Sequence, residues 1–406
     1  MTKGLVPPNM MLELKLIHEE AGKRMWRPLE RDDRIWLEYT NEYSIFGWHG
    51  MPDKIKNRSS AFAVFAGLLF EHLASCDTWK NLPMAPSLRT LRSDWLDNRW
   101  SHLIYSRVFS ERGTPSHYQC LLSADGKTLS FGQAAGTTAG VYIEALQVVP
   151  VQAQFYKVLG QKVCYYNPVV EPSRRRMLPL DVHFTFGHAP GEPAGNFEQD
   201  SGYLKALGIS RLPEEGVPLE RPVLLFTTNS EPDERSLSVQ EALIMSGLTA
   251  GQFEELVEMS YLISIALYAF FAQKDCQLWQ GKLEFAHSPN GPILAGCLEP
   301  DEMIILHRGA RISKHIAERH YRDSRWQAAI KEAQAQARKL ERPDWQDICL
   351  SKLRAEPEFL PAHLKATMDS LYGSLVNRLA GTRLFAEAPA LDSLADSICQ
   401  ANTDTH

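Results

Sequence analysis

The stretch from Leu278 to Trp326 restricts this chain more than any other. It reads LWQGKLEFAHSPNGPILAGCLEPD and, a little later, GARISKHIAERHYRDSRW. The first string alternates as a strand, turns at Ser288-Pro-Asn-Gly291 and returns, which predicts a hairpin over 278–298. Lys282 and Glu284 stand at i and i+2 and so share one face of the strand. An ammonium and a carboxylate on one face suit a nucleoside triphosphate. The cation meets phosphate oxygens, while the carboxylate holds Mg2+ or a ribose hydroxyl. The same two residues also fit a solvated ion pair, so the pair alone does not decide the chemistry.

The remainder of the chain bounds the class. Its 406 residues, 44% hydrophobic and 23% charged, are ordinary for a soluble globular protein and long enough for a large core or two lobes. A net charge of -6 argues against a nucleic-acid or membrane-surface partner. Seven scattered cysteines with no C-x-x-C read as reduced thiols, so a cytoplasmic location is expected. No basic start precedes an apolar run, so no signal peptide is expected. The apolar stretch Tyr261–Ala272 is too short to span a bilayer.

Local patterns set out the elements. Arg34–Thr40 predicts a strand, and Ser59–Ala74 a buried helix, apolar nearly all round. Residues 79–145 read as an insertion of small strands, with Trp79, Trp95 and Trp100 amid charges. Strands are expected at Val149–Val158, Lys162–Tyr166 and Met177–Phe186, then a Gly- and Pro-rich loop with one short helix over 187–222. Ser238-x-x-Glu241 and Thr249-x-x-Gln252 fit capping boxes. After the second, Phe253, Leu256, Val257, Tyr261, Ile265 and Tyr268 recur at helical spacing. Residues 313–340 are expected to continue as helix. Ala362–Leu379 is amphipathic with Gly381 as its stop; its leucine stripe reads as packing on the body, with a homo-oligomer contact as the alternative.

The strings around Lys282 resemble the SAICAR synthetase family, ATP-dependent enzymes that join aspartate to a carboxylated aminoimidazole ribotide. That family reads VDFKLEFG before a hairpin, then LxDExxPD, and in some members SKxxxRxYYRxxxW. The segment Pro222–Phe271 is similar to its PIxEFxTKxxxxDxxIS segment and the acidic long helix after it. Met177-Leu-Pro-Leu-Asp181 resembles its xxPxE strand, and Gly202–Gly208 its GSLxKRxG. Gly22-Lys23 resembles the hairpin over the phosphates, and Thr40–Phe46 its TDRxSAFD. The block 79–145 and the tail beyond about 340 have no counterpart.

The resemblance implies an α+β fold of two lobes, with the active site in the cleft between them. The β-rich ATP-binding lobe would cover 1–190, with 79–145 as an insertion. The α/β substrate lobe would cover 191–340, and a helical extension 341–406. It implies ATP and Mg2+ as cofactors. Lys282 and Glu284 would be the catalytic pair, Glu284 the metal ligand, and Lys23, Arg176, Leu178, Lys282 and Glu284 the nucleotide contacts. The backbone of Val163–Arg176 would meet the adenine. Ser44, Asp233, Ser313, Lys314 and Arg322 would face the substrates. Asp233 equally fits a turn before the Ser238 cap, and Lys314 and Arg322 a solvated helix face.

Departures from the family pattern cluster on the ribotide and the metal. Gly296 stands where the hairpin aspartate would be and Cys297 where the glutamate would be. Glycine offers no ligand atom, and a thiol does not suit Mg2+. Glu299 or Asp301 is a substitute candidate. Thr185 replaces a ribotide arginine, Met303–His307 replaces SRLWD, Asn229 replaces the TKA lysine, and Asn41 and Gly47 replace the DRxSAFD aspartates. The expectation is an ADP-forming carboxylate–amine ligase working through an acyl phosphate, in specialised rather than housekeeping metabolism. Its partners would be a small carboxylate and an amino acid. The alternatives are a small-molecule kinase using the same cleft and a non-catalytic nucleotide-binding protein. Among thirteen histidines there is no H-E-x-x-H; there is also no G-x-S-x-G and no P-loop.

Overall fold

The computed structural model describes residues 13–20, 22–89, 91, 104–137, 140–151, 153–166, 174–191, 214–231, 234–340 and 344–403. The fold is α+β. It divides into two compact units, and both are discontinuous in sequence. Unit 1 is Met1–Val64, Gln119–Ala145 and Ala310–His406; unit 2 is Phe65–Tyr118 and Leu146–Gly309. This differs from consecutive lobes because the middle of the chain returns to the first sheet before the second one is built.

Unit 1 is organised on a six-stranded sheet. Its strands are β1 (Leu14–Glu20), β2 (Lys23–Pro28), β3 (Arg34–Tyr39), β4 (Tyr118–Ser123), β5 (Thr128–Leu129) and β6 (Val141–Leu146), in the order β1-β2-β3-β6-β4-β5. The tail belongs to its core. In the helix Ala362–Ala380, Met368, Leu371, Leu375 and Leu379 are at most 1% exposed. Tyr372 packs edge-on to Phe62, with ring centroids 4.7 Å apart. The leucine stripe is therefore buried packing. Gly381 ends the helix in the left-handed conformation, as its position after the last periodic residue predicts.

The expected insertion 79–145 is not one block of small strands. Its first part is helical, in Cys76–Asn81 and Ile104–Arg112. Trp79 and Phe109 explain this: both are buried, with ring centroids 4.7 Å apart, and the Trp79 indole donates to Leu73 O at 2.8 Å. Its second part supplies β4, β5 and β6 to the unit 1 sheet. Trp95 and Trp100 lie outside the described residues. The helix expected over 313–340 is also two, His315–Tyr321 and Arg325–Lys339. Asp323 breaks it with φ 60°, and Ser324 caps the second helix by accepting from Gln327 N.

Unit 2 carries β7 (Ala153–Val158) and β8 (Gln161–Tyr166) as a separate antiparallel pair. Its main sheet contains β9 (Arg176–Gly187), β10 (Pro218–Thr228), β11 (Ser236–Leu237), β12 (Gln277–Ser288), β13 (Gly291–Ala295) and β14 (Ile304–His307). The order is β11-β10-β9-β12-β14, and β13 pairs with the far half of β12. One face is apolar. Leu180, Val182 and Phe184 of β9 and Leu283 and Phe285 of β12 are buried there.

The helix Ala250–Ala272 packs against β9, β10, β12 and β13, with Phe226 against Phe253 and Phe186 against Tyr268. Both capping boxes form, at Ser238 and at Thr249. This helix is long and apolar enough to cross a membrane by composition, but 67% of its most apolar stretch is buried inside the protein. Gly281 permits the tight packing beneath the sheet, since a Cβ there would lie 2.4 Å from Phe184 Cζ.

Candidate active site on the polar face of the second sheet

Strand alternation puts a different set of residues on the opposite face. In the antiparallel register Lys282 is paired with His183, Glu284 with Asp181 and Gln280 with Thr185. Thr227 of β10 is paired with Asp181. Cross-strand partners point to the same side, so Asp181, His183, Thr185, Thr227, Gln280, Lys282 and Glu284 form one polar patch.

Lys282 is its centre. Its Nζ lies 3.4 Å from Asp181 Oδ2 and 3.4 Å from Glu302 Oε2, with 22% of the side chain exposed. Burial opposes the ammonium charge, but the carboxylates of Glu284, Glu302 and Asp181 outweigh it and hold the Lys282 pKa above its ordinary value. Asp181 is itself fixed. It is buried, and Asn229 Nδ2 donates both to its Oδ1 at 3.0 Å and to Leu178 O at 3.1 Å. Beside it, His183 Nε2 is 3.0 Å from Thr227 Oγ1 and 3.2 Å from Glu234 Oε1. The hydrogen bond from His183 leads the influences that pull the Glu234 carboxyl down to about 2, against the opposing effect of burial.

Glu284 is held at the exit of β13. Cys297 N donates to its Oε2 at 3.3 Å. Gly296 has φ +67°, and a Cβ there would lie 1.8 Å from the same oxygen. The glycine that looked like a lost metal ligand is thus the surface against which the Glu284 carboxylate rests. Only a residue without a side chain allows both that backbone turn and that contact.

The remaining candidates have the following surroundings. Arg176 Nη2 is directed to Ser246 O, 3.5 Å away, at the end of the helix Val239–Ser246. There the guanidinium meets a helix C-terminus, where a cation is stabilising. Leu178 has its side chain fully buried on the apolar face. Thr185 is buried and bonded to Gly187. Asp233, Gly202–Gly208 and part of the expected adenine segment lie outside the described residues.

Lys23, Ser44, Ser313, Lys314 and Arg322 belong to unit 1. Lys23 pairs with Glu20 at 2.9 Å. Ser313 is 1% exposed, and its Oγ accepts from His315 N at 3.4 Å. Lys314 is the N-cap of His315–Tyr321, and Arg322 follows that helix on the surface.

The patch combines one ammonium with Asp181, Glu284, Glu302 and Glu234, an excess of negative charge. Among the described residues no group of three or more His, Cys, Asp or Glu side chains is arranged to hold a metal ion. Asp181 and Glu284, directly opposed across β9 and β12, do offer hard oxygen donors. Mg2+ needs only one or two protein carboxylates when phosphates and water complete its shell. Asp181, Glu302, Asn229 and Glu234 were not among the candidates read from the sequence. The signal for Asp181 was its place at the end of the xxPxE-like strand.

No family model matches the chain. It is 22% identical over 374 residues, 91% of this chain and 95% of the relative, to a protein of Archaeoglobus fulgidus described as "Putative phosphoribosylaminoimidazole-succinocarboxamide synthase". It is 35% identical over 101 residues, 24% of this chain and 40% of the relative, to the phosphoribosylaminoimidazole-succinocarboxamide synthase of Magnetococcus marinus. Among solved structures, SAICAR synthase from Saccharomyces cerevisiae complexed with SAICAR matches with a TM-score of 0.48 and 11% identity, covering 91% of this chain and 96% of that one.

Proposed function

We propose that this chain, a divergent relative of the SAICAR synthetases along nearly its whole length, is an ATP-dependent ligase that joins a carboxylate to an amine. The observation that carries this reading is the Lys282 ammonium framed by Asp181, Glu284 and Glu302. A carboxylate oxygen is a poor leaving group, so amide formation needs activation. An oxygen of the substrate carboxylate attacks the γ-phosphorus of ATP, and the bond to the β-γ bridging oxygen breaks. ADP leaves and an acyl phosphate remains. The amine attacks the acyl carbon, phosphate departs with the carbon–oxygen bonding pair, and the amine nitrogen loses its proton.

The protein's part is alignment and charge placement. Lys282 meets phosphate oxygens from a position fixed by Asp181 and Glu302, and Asn229 keeps Asp181 in place. Glu284, held by the Cys297 amide, and Asp181 are the residues that would hold Mg2+, which neutralises the transferring phosphoryl when bound. The altered positions Thr185 and Asn229 support a substrate other than the usual imidazole ribotide. Both are committed here to internal hydrogen bonds, leaving no cation at either position for a ribotide phosphate. A specialised biosynthetic role follows from that substitution pattern, and a cytoplasmic setting from the scattered cysteines with no C-x-x-C spacing.

The test is product analysis. The protein is incubated with ATP, Mg2+ and a grid of amino acids against small carboxylates and ribotides, with Lys282→Ala as the blank. ADP formed only with a carboxylate–amine pair, alongside a product whose mass is their sum minus water, establishes the ligase. ADP with a single acceptor that gains a phosphoryl group replaces it with a kinase.

A further inference from the structure

The segment Pro115–His117 runs beside β13 and is tied to it by backbone. Leu294 N donates to Pro115 O at 2.9 Å, and His117 N donates to Leu294 O at 3.0 Å, a parallel bridge centred on Ser116 and Leu294. Leu146 N donates to His117 O at 2.7 Å. These bonds fix His117, 3% exposed, at the exit of β13. There its ring is hydrogen-bonded to the Gly296 backbone. Burial keeps the imidazole neutral and pushes its pKa down to about 4, while the Gly296 contact acts in the opposite direction. That opposite sign is the mark of a ring N–H donated to a carbonyl.

The amide that follows the Gly296 carbonyl is Cys297 N, the donor to Glu284 Oε2. One peptide unit therefore holds His117 on its oxygen and Glu284 on its nitrogen. The unit is planar, so its two ends cannot turn independently. A hydrogen bond to the carbonyl also polarises the N–H toward its own acceptor. Packing alone does not call for histidine here. The ring lies against Phe70, with centroids 5.7 Å apart, and an apolar side chain would be buried without the desolvation cost of imidazole.

We propose that His117 is a positioning residue for Glu284, acting through the Gly296–Cys297 peptide to hold the carboxylate toward the metal–nucleotide. The proposal rests on the reading of the polar patch as the nucleotide site, and its test separates the two.

The affinity for a non-hydrolysable ATP analogue is measured by calorimetry with and without Mg2+, in wild type, His117→Leu, His117→Asn, Glu284→Gln and the Leu–Gln double variant. His117→Leu is expected to weaken the magnesium-dependent increment about tenfold, as loss of an outer-shell partner does. The magnesium-free affinity stays unchanged. His117→Asn, whose amide can donate from near the first ring nitrogen, restores most of the increment. In the Glu284→Gln background His117→Leu adds nothing further. A folded His117→Leu with an unchanged increment overturns the proposal, as do losses that add in the double variant.

If His117→Leu does not fold, Asn is compared with Gln, whose amide sits near the far ring nitrogen. Restoration by Asn alone supports the proposal, and equal behaviour of the two sinks it. If wild type shows no magnesium-dependent binding at all, the ligase reading falls. The positioning relation is then read from the Glu284 carboxyl titration by carbon NMR: a displaced curve in His117→Asn or His117→Leu sustains it, and identical curves end it.

Discussion

The carboxylate of Glu284 occupies the space that a side chain at position 296 would need: a Cβ on Gly296 would lie 1.8 Å from Glu284 Oε2 and 2.6 Å from its Cδ. Residue 296 also has φ +67°, which costs an ordinary residue about 1–2 kcal/mol. Restoring an aspartate there therefore displaces Glu284. Gly296→Asp is expected to lower the thermal midpoint and to cut turnover at least about tenfold, the equivalent of about 1.4 kcal/mol in the transition state. Melting curves and kcat/KM check this. Higher activity in Gly296→Asp would mean that position 296 is a vacated ligand site after all.

Lys282 neutralises its surroundings as much as it serves them. Removing it takes away the ammonium that Asp181 and Glu302 both meet at 3.4 Å and that the Glu284 charge also favours. Breaking a fully buried pair costs about 3–5 kcal/mol, and the partial exposure of Lys282 reduces this to about 2 kcal/mol. Lys282→Met is thus expected to be inactive and less stable. Its melting temperature should rise with millimolar Mg2+ more than that of wild type, since a divalent ion can take the place of the ammonium. Equal responses of the two proteins to Mg2+ would contradict this account of the charge balance.

The site was legible in part, and the division follows the range of the interactions. Lys282 and Glu284 could be placed on one face because strand alternation and the Ser288–Gly291 turn are local. Asp181 could not be joined to them, because its pairing with Glu284 depends on the register of two strands far apart in sequence. Asn229 read as a lost lysine, whereas it holds Asp181 by a contact between separate strands. Gly296 read as a missing ligand because a one-dimensional comparison sees the absent side chain and not the carboxylate lying over it. Composition likewise misled at Trp79, whose burial against Phe109 depends on a helix that aromatic residues amid charges do not announce.

Two histidines make stability depend on pH. Burial pushes both His117 and His72 down to about 4, with the Lys274 charge adding to the effect on His72. The unfolded chain takes up these protons near pH 6.5, while the folded protein resists until about pH 4. Stability is therefore full above pH 6.5 and is lost as pH falls through this window. Each histidine accounts for on the order of 3 kcal/mol by pH 4. Urea midpoints between about pH 7.5 and about pH 4, spanning that window, are expected to fall for wild type and to fall less steeply for His72→Gln. A parallel decline in the two proteins would remove His72 from the explanation.

The charge of the polar patch sets a condition on the nucleotide itself. One ammonium stands among Asp181, Glu284 and Glu302, and Glu234 adds a carboxyl whose pKa of about 2 keeps it ionised at neutral pH. A bare triphosphate entering this patch meets repulsion at close range, which is strong wherever water is partly excluded. With Mg2+ bound, the same carboxylates become attractive and two of them can complete the ion's shell. ATP is therefore expected to bind at least tenfold more tightly with Mg2+ than with EDTA, the equivalent of about 1.4 kcal/mol. Glu284→Gln removes one negative charge and one oxygen donor. It should strengthen the metal-free affinity slightly while weakening the magnesium-bound one, so that the two curves approach each other. Calorimetric titrations of both proteins under both conditions decide the matter. If Glu284→Gln lowered both affinities by the same factor, Glu284 would be contacting the nucleotide directly, through ribose, rather than through the metal.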